Sequence, residues 1–195
     1  MRILNVLTYY RPHVSGLTIY AERLARGLVR RGHHVTVLTS RFHPSLPAHE
    51  VLNHVEVIRV PIVRKISKGV VMPLFPFYAA AQIARHDSVI IHAPQLEAAA
   101  VAALGRLYGR RVLLTYHCDL TLPSGAVNQI VQGSLGQLNR IASTLAHHIV
   151  ASCEDYARSS PLLTRYSSKV RPITPIVETP PVDPERVRTL AQRWG

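Results

Sequence analysis

Short runs of aliphatic and β-branched residues alternate along this chain with longer stretches of helical periodicity. That order is expected of a parallel sheet built from strand–helix–strand crossovers. Arg2–Thr8 opens as a buried strand. Leu17, Tyr20, Ala21, Leu24, Ala25 and Leu28 then recur at helical spacing, with Glu22, Arg23, Arg26 and Arg30 on other faces. Ser15 or Thr18 is suited to cap that helix, and Gly32 to stop it. His34–Thr39 and Val55–Val60 read as the next strands, followed by Ser88–His92 and Arg111–Tyr116. Pro94 is expected to begin an Ala-rich helix that ends near Gly109. Val127, Ile130, Val131, Leu135, Leu138, Ile141 and Leu145 line a long amphipathic helix. His148–Ala151 is a short strand, and Ser152 with Asp155 has capping-box spacing for the helix after it. Lys169–Ile173 reads as a last strand, placed on an edge by Pro172.

The expected fold is α/β: a Rossmann-like open parallel sheet over residues 1–173, with helices on both faces. A connector rich in proline (Pro175, Pro180, Pro181) and a terminal helix from Pro184 to Trp194 occupy 174–195. In such a sheet, ligands bind beyond the carboxyl ends of the strands. A site is therefore sought in Tyr9–Gly16, from Arg41 onward, and in His92–Gln95, His117–Gly125 and Ser152–Asp155.

Composition narrows the partners. With 195 residues, 47% of them hydrophobic and 17% charged, the chain reads as a soluble globular domain. No secretory signal is recognisable, and the uncharged stretch Gly69–Ala84 is short for a membrane span and holds Pro73 and Pro76. Two cysteines, Cys118 and Cys153, fit a reducing compartment, so a cytoplasmic location is expected. The 23 Lys and Arg against 11 Asp and Glu give a net charge of +12, which favours anionic partners without choosing among them. Arg59, Arg64, Lys65 and Lys68 run into Val70, Val71, Met72, Leu74, Phe75, Phe77 and Tyr78. This is either a segment facing the anionic inner surface of a membrane or a core helix beside solvated charges. Nucleic acid is the least favoured partner, because no recognised motif accompanies the charge.

The chemistry is sparse. The turn Tyr9–Gly16 holds one glycine where a dinucleotide fingerprint needs three, so nicotinamide and flavin are disfavoured. Ser15-Gly16 at a helix start still offers backbone N–H groups to a phosphate or sugar hydroxyl. Gly16 could equally serve only a turn's backbone angle. His117 follows a strand end and is placed to act as base, donor or orienting group. Cys118 beside it would point to the opposite face. Eleven histidines suggest zinc, but no His-Glu-x-x-His or paired-cysteine spacing is present, so no metal is expected.

Tyr10-Arg11-Pro12-His13-Val14-Ser15-Gly16, the helix bearing Ala21, Leu24, Ala25 and Leu28, and Arg31-Gly32-His33-His34-Val35-Thr36-Val37 resemble the opening of family 4 glycosyltransferases. The resemblance continues at Val89-Ile90-Ile91-His92-Ala93-Pro94, Thr115-Tyr116-His117-Cys118-Asp119 and Ile149-Val150-Ala151-Ser152. It implies one half of a GT-B architecture, in which two Rossmann-like domains face across a cleft. This half would hold the acceptor, with the donor-binding half in a C-terminal domain or a separate chain. Gly16 matches the second glycine of the family's pair, and His117 the histidine lining the reaction centre. Ser15 replaces the first glycine, Thr18 stands where many members carry glutamate, and 174–183 replaces the usual segment before the second domain.

The resemblance implies retaining transfer from a nucleotide sugar without metal or other cofactor. His117 would be catalytic, and Ser15, Gly16, His92, Asp119 and Ser152 would contact donor or acceptor. A lipid-linked acceptor is compatible with this reading, and the isolated chain is expected to be inactive. Two other readings remain: a non-catalytic module binding a glycan, lipid or protein, and a basic nucleic-acid-binding domain.

Overall fold

The structure is a computed structural model that describes residues 1–66, 69–121, 123–175, 177 and 183–194. The chain begins with β1 (Arg2–Val6), α1 (Gly16–Arg30), β2 (His34–Arg41), β3 (His49–Leu52) and β4 (Val55–Pro61). A small hairpin follows, β5 (Arg64–Ile66) paired with β6 (Gly69–Val71), and then α2 (Phe75–Ile83). The second half holds β7 (Ser88–Ala93), α3 (Ala98–Leu107), β8 (Arg111–Tyr116), α4 (Ala126–Leu145) and β9 (His148–Ala151). It ends with α5 (Glu154–Ser159), α6 (Pro161–Arg165), β10 (Val170–Pro172) and α7 (Pro184–Trp194).

Among the described residues, eight strands form one sheet in the order β10-β9-β8-β7-β1-β2-β4-β3. Every pairing is parallel except β3 with β4. The order runs outward from β1 in both directions, so the chain reverses its direction of travel beside that strand. The ends of β1, β7 and β8 consequently share one crevice.

Alternation along each strand sends side chains to two cores. Leu4, Val6, Val89, Ile91, Val112 and Leu114 join Phe75, Ala79 and Ile83 of α2, Val101 of α3, Ala142 of α4 and Leu163 of α6. On the opposite face, Ala21 and Ala25 of α1 meet Val35, Val37, Val55 and Val57. Small residues bring the helices close to the sheet. At Gly105 of α3, a Cβ would lie 2.6 Å from the Val112 side chain, so glycine permits that approach. Helix ends are satisfied locally. Ser15 Oγ accepts from the Thr18 amide at α1, and Lys169 Nζ donates to the carbonyls of Thr144 and Ala146 at the end of α4.

Three expectations need correction. The strand β3, unforeseen in the sequence, folds back antiparallel on β4 and forms the sheet's edge. The helix α3 starts at Ala98 rather than Pro94, because residues 94–97 form a turn first. The cap of α5 is Cys153, whose Sγ accepts from the Tyr156 amide; Ser152 lies one residue outside the helix boundary set by that bond.

Candidate functional site

Two histidines meet at the crevice. His92 sits on β7 and His117 directly follows β8; their rings stack 5.3 Å apart at 22°. His92 Nδ1 lies 3.1 Å from His117 Nε2, so one nitrogen donates and the other accepts. The strand register explains the meeting, since His92 pairs with Thr115 and alternation carries His117 to the same face. Tyr20, one turn into α1 from Gly16, presents an edge contact to both rings, with centroids 5.9 Å from His92 and 5.0 Å from His117.

The pair is neutral at physiological pH. Burial pushes His117 down to about 4. His92 is pushed to about 3 by burial and then by repulsion from His117. At 1% exposure, His92 lies beneath its neighbour, and its Nε2 is buried without a hydrogen-bond partner among the described residues. His117 is only partly buried, and the nitrogen not occupied by His92, Nδ1, is the one available to a ligand.

The glycine turn is also informative. Gly16 begins α1 without a positive φ, so no turn angle requires glycine there. A Cβ would meet nothing within 4 Å. The turn is stiffened by Ser15 Oγ, 2.8 Å from Thr18 Oγ1, and by Tyr9 stacked on His13 at 4.7 Å. Gly16 and Leu17 contribute first-turn N–H groups, for which helix geometry supplies no intrahelical acceptor.

Across the end of β8 lies a cavity of about 320 Å³, bounded by the 116–121 segment, α4 and α6. Asp119 lines it, and its two carboxylate oxygens each accept from a tyrosine hydroxyl at 3.1 Å, one from Tyr116 and one from Tyr156. Desolvation, then the Asp119 charge and hydrogen bond, raises both phenols, which therefore stay protonated and donating. Partial burial and Asp119 also raise Cys118, which argues against an activated thiolate. Ser152 is half-buried at the end of β9.

The basic segment divides. Arg59 is 1% exposed and donates to the carbonyls of Arg11 and Pro47 while pairing with Glu50, so it cannot face a membrane or an external anion. Its position on β4, in line with inward-facing Val55 and Val57, explains the burial. Arg64 and Lys65 are exposed on the hairpin, Lys65 lying 6.0 Å above the Phe42 ring. Lys68 lies outside the described residues. Val70, Met72 and Phe75 belong to the core, whereas Leu74 and Phe77 are exposed. Sequence reasoning missed Tyr20, the structural role of Arg59, and the cavity residues Asn139, Arg140 and Arg165. Among the described residues, no cluster of His, Cys, Asp and Glu could hold a metal, and no helix is long and apolar enough to cross a membrane.

The crossover order and the crevice define a Rossmann-like domain, similar in fold to one half of a GT-B glycosyltransferase structure. Residues 15–175 match the model of the glycosyl transferase 4-like domain, and the chain belongs to that family. It is similar to an uncharacterized glycosyltransferase of Methanocaldococcus jannaschii, 46% identical over 61 residues that cover 31% of this chain and 15% of that protein. Among solved structures, it resembles sucrose-phosphate synthase from Thermosynechococcus elongatus, with a TM-score of 0.56 and 16% identity over 89% of this chain and 47% of that one. It also resembles an alpha-glucosyltransferase in complex with UDP and a 13-mer DNA, with a TM-score of 0.52 and 15% identity over 97% of this chain and 45% of that one. The chain thus spans about half the length of these structures.

Proposed function

We propose that this chain forms the acceptor-side wall of a retaining glycosyltransferase that uses a nucleotide sugar without a metal ion. The observation that carries the reading is His117 at the end of β8, with Nε2 engaged by His92 and Nδ1 left for a ligand, in the crevice beside the start of α1. A neutral imidazole in that place hydrogen-bonds a sugar oxygen and orients it, without the charge that a carboxylate would bring. The first turn of α1 offers N–H groups and a positive dipole end to the donor's phosphate, and the open space at Gly16 lets that phosphate approach the backbone. A second domain would carry the remaining donor contacts. Transfer requires both walls, because holding two reactants in geometry is worth about 7–11 kcal/mol of barrier.

The test is transfer from several nucleotide sugars by the purified chain, alone and with a separately produced donor-binding half. Activity is expected only in the mixture. In that mixture, His117→Ala should lower kcat by roughly 10²-fold or more, as loss of a transition-state hydrogen bond does. Transfer by the lone chain, or normal turnover by the variant, would overturn the reading.

A further inference from the structure

The cavity across the end of β8 contains unsatisfied binding capacity. Asn139 of α4 is 4% exposed, and its Oδ1 is buried without a hydrogen-bond partner. A buried amide oxygen left unpaired is costly and calls for a partner, and Asn139 is the residue with such an atom that lines this cavity among the described residues. Arg140, next to it on α4, and Arg165, at the end of α6, line the same cavity. Both guanidinium groups are without an ion pair or hydrogen bond among the described residues, whereas Arg11, Arg59 and Arg158 pair with carboxylates. The one carboxylate among the described residues of the cavity wall, Asp119, is held by the two tyrosine hydroxyls. Two free guanidiniums against one tied carboxylate leave the cavity net positive. Leu135 and Leu162 supply apolar wall.

We infer that this cavity is a binding site for an oxyanion-bearing polyol, the acceptor of the transfer proposed above. Arg140 and Arg165 take the phosphate or carboxylate, since guanidinium geometry matches both oxyanions. Asn139 Oδ1 accepts from a ligand hydroxyl, which a bare inorganic anion could supply only in part. Its place beside the segment that bears His117 puts a bound polyol next to the crevice. The inference rests on the transferase reading for the word acceptor, but the binding itself is independent of it.

The experiment measures binding to this chain by amide chemical-shift titration, with glucose 6-phosphate, glucuronate, glucose and inorganic phosphate as probes. Either charged sugar should bind saturably and at least tenfold more tightly than glucose or phosphate. The stronger of the two identifies the oxyanion. Shifts should centre on residues 119–121, 135–140 and 161–165. Arg140→Ala and Arg165→Ala, both exposed and neutral to the fold, should each weaken binding at least tenfold. Asn139→Asp keeps the shape but sets a carboxylate near the anion and should weaken it further. Binding of glucose and glucose 6-phosphate with equal affinity, or unchanged binding in both arginine variants, would overturn the inference. Such a result beside an active, His117-dependent mixture would leave the transferase reading intact.

Discussion

Arg59 Nη2 donates to the Arg11 carbonyl at 2.8 Å, tying the middle of the β1–α1 turn to a strand two positions away in the sheet. Through its other contacts, to Pro47 and Glu50, the same guanidinium joins three separate segments at one buried point. The turn that presents Ser15 and Gly16 is therefore braced from below.

Arg59→Ala should destabilise the domain by about 3 kcal/mol, the lower end for removing one partner of a buried ion pair, because Glu50 retains some solvent. The denaturant midpoint in urea measures it. A loss within 0.5 kcal/mol, the usual range for a surface change, would show that the brace is dispensable.

Gly16→Ala should separate folding from function. Nothing surrounds the position and its φ is not positive, so stability should stay within about 0.5 kcal/mol of the parent. A methyl group would nevertheless occupy the open space at α1, through which the proposed reading brings a donor phosphate. In the two-half mixture, kcat/KM should fall at least tenfold while the melting temperature holds. Unchanged kcat/KM would remove Gly16 from the donor site.

Acid should weaken the domain through its histidine pair. Both imidazoles have folded pKa values below the ordinary 6.5, to about 3 for His92 and about 4 for His117, because burial disfavours their charged forms. The unfolded chain thus binds more protons in between. The pair's contribution is fully present above pH 6.5 and is lost as pH falls through 4 toward 3. Urea midpoints at pH 7, 5 and 4 should decline, and less steeply in His117→Asn, which has one fewer group to titrate. A midpoint flat to pH 4 would contradict neutral burial of the pair.

The crossover architecture was legible because local signals agreed. Ser15 caps α1 as its position suggested, and Pro172 lies on an edge strand where a missing N–H is tolerated. The edge strand His49–Leu52 escaped notice because half its residues are polar and its partner lies just across a turn. Arg59 looked like part of a basic surface cluster, since its partners at 11, 47 and 50 are brought near only by the sheet. His117 and Gly16 were singled out with help from family likeness, whereas no pattern linked Asn139 and Arg140 to Arg165. Those three meet because α4 and α6 both pack beside β8 and β9, a relationship no local periodicity encodes.

The two borders of the sheet have a wider consequence. At one, β3 runs against the direction of its neighbours and lies four residues long; at the other, β10 is three residues long and ends in proline. Neither offers the long, regular ladder on which sheets propagate from molecule to molecule. Lateral growth is thereby discouraged, and the crevice at the strand tips remains the natural place to engage a second folded unit. Under the transferase reading proposed above, a scaffold arranged in this way would keep one wall of the cleft while different modules are set opposite it, so that new specificities would arise by exchange of parts rather than by rebuilding the sheet.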